Sequence, residues 1–232
     1  MWGRIFVAAS IAAFGAEHFA IPGSIMQIVP AWIPNHLFWT YFVAVALLAA
    51  AASFVLDRYV RLSATLLGAM FLIFVLTIHL PRLLANPRDR IAWAVFLRDL
   101  AFAGGGWALA GGRLAAAGRI WIGIAALFFG IEHLLHPAFA PGVPLPMRTP
   151  AWVPLRALWG DVMGALLLVA GASALFHRYV RFAAALLGVA LLLAILVIYI
   201  PNMARAPSLE AFNYVADTLL FAGTVLLLAG AK

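Results

Sequence analysis

Eight stretches of this chain run for close to twenty residues with almost no charge: 5–21, 37–56, 62–80, 91–110, 120–135, 155–176, 182–200 and 211–229. A helix needs about 20 apolar residues to cross a hydrocarbon layer ~30 Å thick. Inside that layer each backbone N–H and C=O must be satisfied within its own segment, as a helix does. The chain is also too apolar for one soluble core, being 66% hydrophobic and 10% charged with mean hydropathy +1.07. The expectation is an all-α integral membrane protein with eight transmembrane helices.

The remaining composition excludes several kinds of chemistry. The net charge of +7 comes from basic residues set in ones and twos at the ends of the apolar runs. Such spacing suits anionic lipid headgroups, and nucleic acid is not an expected partner. The absence of cysteine removes disulfides, thiol redox chemistry, Cys-ligated zinc, iron–sulfur clusters and covalently attached c-type haem. The only lysine is Lys232, outside every run, so no intramembrane Schiff base can form. Residues 1–20 read as a retained helix, because Glu17-His18 stands where a signal peptide would carry small residues before its cleavage site.

The chain repeats itself. At an offset of 115, Phe14-Gly-Ala-Glu-His lies over Phe129-Gly-Ile-Glu-His. At 120, Pro30-Ala-Trp-Ile-Pro34 lies over Pro150-Ala-Trp-Val-Pro154, Arg58-Tyr-Val-Arg61 over Arg178-Tyr-Val-Arg181, and His79-Leu-Pro over Tyr199-Ile-Pro. At 118, Asp99 meets Asp217. The offsets change only in loops, so residues 1–115 and 116–232 read as two tandem four-helix bundles. Four spans per unit return the chain to its starting side, giving both units the same orientation about an axis along the membrane normal. Eight basic residues, Lys232 among them, fall on the N-terminal side and six on the other. Positive-inside reasoning places the N-terminus in the cytoplasm, in a bacterial-type inner membrane.

Helical rise brings the ionisable side chains together. Glu17 lies about 20 Å along its run from Arg4, and Asp99 about 12 Å into a run that enters from the opposite side. His79 lies within about a turn of that same surface. Glu17, His18, His79 and Asp99 therefore form one outer layer, with Arg98 as the natural partner of Asp99 or Glu17. In the second half Glu132, His133 and Asp217 repeat the layer. There Tyr199 takes the place of His79, Ala216 that of Arg98, and Asp161 is added at the position of Tyr41. Buried charges cost ~2.5–3.5 kcal/mol each on insertion scales and face a bundle interior or a wet cavity. Such a layer is either a polar network that pins helices in register or a protonatable site for a lipophilic ligand. In the second case Glu17, His18, His79, Asp99, Glu132, His133 and Asp217 handle protons, while Arg98, Trp32, Trp152 and Tyr199 contact the ligand. Glu and His are adjacent rather than spaced Glu-x-x-His, so a dinuclear metal centre is not expected. A mononuclear site of His18, His79 and Asp99, or haem held by the two histidines, ranks below a quinone.

The loop 22–35 carries no charge but has Pro22, Pro30, Trp32 and Pro34. It reads as an interfacial Trp anchor, or as a stiff lid over the polar layer. Residues 137–154 repeat it with five extra residues and Arg148. Gly104-Gly-Gly106 reads as a helix-packing element, since no Lys-Ser/Thr follows to hold a phosphate. His36, His136 and His177 lie near run ends, with His136 alone close enough to the Glu132 layer to take part.

Gly15-Ala-Glu-His-Phe, Pro30-Ala-Trp-Ile-Pro, His79-Leu-Pro and Arg98-Asp-Leu-Ala-Phe-Ala-Gly together resemble the DoxX-like family of four-span membrane proteins, once in each half. The resemblance implies small four-helix bundles and, through the thiosulfate:quinone oxidoreductase subunit that gave the family its name, a redox setting. The expected function is a redox-associated protein that binds and protonates a quinone or similar lipophilic molecule. The alternatives are a proton-coupled carrier or permease, and a structural membrane subunit of an oxidoreductase.

Overall fold

The structure, a computed structural model, describes residues 2–230; Met1, Ala231 and Lys232 lie outside the described residues. Eight long helices make up most of it: α1 (Trp2–Ala20), α2 (His36–Leu56), α3 (Val60–Ala85), α4 (Arg90–Ala110), α5 (Gly112–Leu135), α6 (Arg156–Phe176), α7 (Val180–Arg205) and α8 (Leu209–Ala229). Among the described residues there is no strand, only an isolated antiparallel bridge between Phe139 and Arg148. Six helices, α2, α3 and α5 to α8, are long and apolar enough to cross a membrane. A seventh qualifies if α1 is joined across a 97° bend to the short helical segment that ends at Ile28. The expectation of eight spans is thus met by six or seven. Helix α4 is as long as the others but carries Arg90, Arg98, Asp99 and three glycines, which lower its hydropathy.

The helices form a ring in chain order. Helix α1 packs on α2, α3 on α4, α5 on α6 and α7 on α8. The ring closes where α4 meets α5 and α8 meets α1, and α4 also touches α8 across the middle. The glycine triplet makes that centre possible. A Cβ on Gly104 would fall 2.7 Å from the Gly118 carbonyl of α5, one on Gly105 2.6 Å from Thr224 Oγ1 of α8, and one on Gly106 2.7 Å from the Gly68 nitrogen of α3. Three successive residues without side chains let α4 pack closely on three neighbours. Outside the ring, side chains such as Val45, Leu66, Val189 and Leu196 stay exposed. A continuous apolar exterior of this kind suits lipid.

Helices α3 and α7 share a local defect that matters for the site. Pro81 and Pro201 have no N–H to donate, and their rings crowd the carbonyl four residues earlier. The preceding turn widens into a π-turn, at Val75–His79 and at Ile195–Tyr199, where the Leu80 and Ile200 N–H groups bond five residues back. Such wide turns occur often at functional sites. Here they place His79 and Tyr199 at equivalent points.

Candidate functional site

A cavity of about 810 Å³ lies between α1, α2, α3, α4 and α8. Its walls are apolar, with Phe14, Val43, Leu47, Phe71, Phe74 and Phe102 the main contributors. The loop between α1 and α2 roofs it. Pro22 starts a short helix, Pro22–Ile25, which tightens into a 3₁₀ turn, Met26–Ile28. Ile25, Ile28, Val29, Pro30, Trp32 and Ile33 from this loop all face the chamber. Of the two readings of this loop, its apolar residues take the lid placement while Trp32, 72% exposed, is open to the surroundings as an interfacial anchor would be.

One side of the chamber is polar. His79 Nε2 lies 2.8 Å from Asp99 Oδ2. Arg98 donates from Nε to Asp99 Oδ1 at 2.8 Å and from Nη1 to Asp217 Oδ2 at 2.7 Å. One guanidinium thus sits between two carboxylates, leaving a single negative charge that a proton on His79 would balance. A carboxylate only accepts, so the His79–Asp99 contact assigns the proton to Nε2 and leaves Nδ1 free. His18 is fixed in the complementary way, with Nδ1 donating 2.7 Å to the Phe14 carbonyl of its own helix. Both histidines line the chamber, each with one nitrogen committed and one without a protein partner among the described residues.

Arg98 takes Asp99, the first of its two expected partners, while Glu17 Oε1 accepts from Asn213 Nδ2 at 3.0 Å. Asp217 was expected in a separate second layer but lines the first chamber, because α8 packs against α1 and α4. Asn213 escaped the sequence reading. It lies one helical turn before Asp217, and that spacing of two polar residues in an apolar run was the available signal.

The second layer is not a chamber. Residues 140–145 descend into it from the α5–α6 connection and all six are buried. His133 Nε2 lies 3.0 Å from the Gly142 carbonyl and 3.1 Å from the Gly142 N–H, and Tyr199 Oη donates to the Pro141 carbonyl at 3.1 Å. Arg90 donates to the Pro144 carbonyl at 2.7 Å and to Glu132 Oε2 at 3.1 Å. His133, Tyr199 and Arg90 therefore hold the protein's own backbone, and Glu132 holds Arg90. Asp161 and His136 are exposed and take no part. Trp152 stacks under Arg205, 4.0 Å from the guanidinium carbon, at the rim.

Among the described residues no three His, Asp or Glu side chains converge as a metal centre. His18, His79 and Asp99 share the chamber without forming a ligand set.

Residues 7–101, from the first turns of α1 to the middle of α4, match the model of a domain of unknown function, DUF8561. No curated protein and no solved structure matches the chain.

Proposed function

We propose that the chain is a DoxX-like integral membrane protein of eight spans, built as two tandem four-helix units in one orientation, and that its first unit binds and protonates a quinone or similar lipophilic molecule. The observation that carries this reading is the chamber itself. It has the size and apolar lining of a small-molecule site, with a few polar groups on one wall. Two histidines, each with one free nitrogen, suit a ligand that alternates between carbonyl and hydroxyl. A doubly protonated imidazole donates to a quinone oxygen, and a neutral one accepts from a quinol hydroxyl. As the ring takes up two electrons from a partner oxidoreductase, His18 and His79 each deliver one proton. Asp99 and Arg98 orient His79, Glu17 is placed to reload His18, and Asp217 fixes Arg98. The distribution of basic residues supports a cytoplasmic N-terminus in a bacterial-type inner membrane.

The test is titration of a short-tailed benzoquinone into the protein in nanodiscs, read by quenching of tryptophan emission, to which Trp32 and Trp39 at the chamber contribute. The expected result is saturable binding to the wild type, weakened by about tenfold or more, or ~1.4 kcal/mol, in Glu17→Gln and His18→Ala. Absence of saturable binding, or unchanged affinity in both folded variants, overturns the reading.

A proton-coupled carrier is the second reading, favoured by a cavity of about 640 Å³ at the other end of the helices, near Arg119, His177 and Arg181. Among the described residues none lines both cavities, so a transport route would have to form through the packed centre. Proton flux into liposomes would distinguish a carrier from a one-sided site. A purely structural subunit would copurify with its oxidoreductase and show neither binding nor flux.

A further inference from the structure

We infer that the second half contains a second chamber for the same uncharged, carbonyl-bearing class of molecule, and that residues 141–145 occupy it as an internal ligand. The ligand class rests on the function proposed above, whereas the occupancy rests on geometry alone.

The first observation is a difference in burial at aligned positions. Phe14, Val43, Phe74, Ile78 and His79 are only partly buried, because they face open space. Their counterparts Phe129, Met163, Ala194, Ile198 and Tyr199 are fully buried. What fills the equivalent space is the extra chain. The offset between the halves grows from 115 at Glu17/Glu132 to 120 at Pro30/Pro150, and 120 − 115 = 5 residues. The Phe139–Arg148 bridge and the Ala140 N–H to Met147 carbonyl bond of 3.0 Å form a neck, and the tip beyond it enters the bundle. Gly142 holds φ +134°, and a Cβ there would meet Thr218 Cγ2 at 3.2 Å and Leu191 Cδ2 at 3.3 Å. Only glycine fits that conformation and that space.

The second observation is how the tip is held. Tyr199 donates to one carbonyl, Arg90 to another, and His133 Nε2 meets the Gly142 peptide groups. Tyr199 and His133 align with His79 and His18. The insert is apolar, carries no side-chain charge and presents backbone dipoles to those two positions. A ligand of the first chamber with an oxygen opposite His79 and a polar group opposite His18 makes the same contacts.

Deleting residues 141–145 leaves Pro146 to join Ala140 and Met147, which the neck already holds together. The chain has no cysteine, so a single introduced one reports opening without any ligand. In Leu191→Cys, a membrane-permeant maleimide should react slowly in the full-length loop and about tenfold or more faster after the deletion. Phe74→Cys, in the open chamber, should react in both backgrounds. Benzoquinone stoichiometry in nanodiscs should rise from one to two per chain on deletion, and the deletion combined with His18→Ala should keep one. If the deletion variant does not fold, Tyr199→Phe with Arg90→Gln, which releases two of the tip's hydrogen bonds, should raise the Leu191→Cys labelling rate. Unchanged labelling in every folded variant overturns the occupancy. Faster labelling with stoichiometry still at one overturns the second site and leaves the proposed function standing. Wild type that binds no benzoquinone overturns the function, while the labelling arm still judges the occupancy.

Discussion

Arg98 is the residue on which the polar wall depends. It neutralises part of the charge on Asp99 and Asp217 while both are shielded from water. Removing one member of such a set leaves an uncompensated buried charge, which costs about 3–5 kcal/mol. Arg98→Ala should therefore lower the melting temperature in detergent markedly. The triple variant Arg98→Met, Asp99→Asn, Asp217→Asn should recover most of that loss, because neutral side chains no longer need the cation. Recovery of stability without recovery of benzoquinone binding would separate a site from a strut, and recovery of both would favour the strut. The sequence made Arg98 a natural partner of Asp99, but not the bonds that cross from this wall to α8. Depth along each helix follows from a fixed rise per residue, so Glu17, His18, His79 and Asp99 could be placed in one layer. Which carboxylate Arg98 reaches depends on which helix lies beside α4, and neither hydropathy nor spacing encodes that. Asp217 and Asn213 were brought in by α8 for the same reason.

At the level of the helix, two devices position the site. The π-turn ahead of Pro81 sets the rotation of His79 about the axis of α3. In Pro81→Ala the helix can continue with ordinary bonds, turning His79 away from Asp99 by roughly 100°, one residue's worth of rotation. Helix content by circular dichroism should be unchanged and benzoquinone affinity should fall; retained affinity would mean the turn is incidental. The glycine triplet of α4 is the other device. Gly106→Val places its side chain against the Gly68 nitrogen and the Ala64 carbonyl at 2.7 and 2.8 Å. Backbone cannot yield as a side-chain end can, so α3 and α4 must separate, at a cost of about 1–3 kcal/mol or more. A thermal melt should show this, and a wild-type melting temperature would contradict the packing. The helices themselves were readable from length and hydropathy, and the prolines marked where α3 and α7 change. The tip at 141–145 was not readable, because Pro-Gly-Val-Pro-Leu describes an exposed apolar turn and a buried one equally well.

Across the whole molecule, the first chamber is assembled from both halves of the chain. Helix α8 supplies Asn213 to Glu17 and Asp217 to Arg98. Residues 1–115 expressed alone should insert but bind no benzoquinone, and coexpression with 116–232 as a separate chain should restore binding. Binding by 1–115 alone would show that the α8 contacts are dispensable. The apolar exterior should make every folded form depend on detergent or lipid, with aggregation on detergent removal as the check. Two guanidiniums of the first half, Arg98 and Arg90, hold Asp217 and Glu132 of the second, so the loan of charge runs in one direction only. Parting residues 1–115 from 116–232 would leave Asp217 and Glu132 without their cations in one fragment and Arg90 without its anion in the other, so neither half balances its own buried charge.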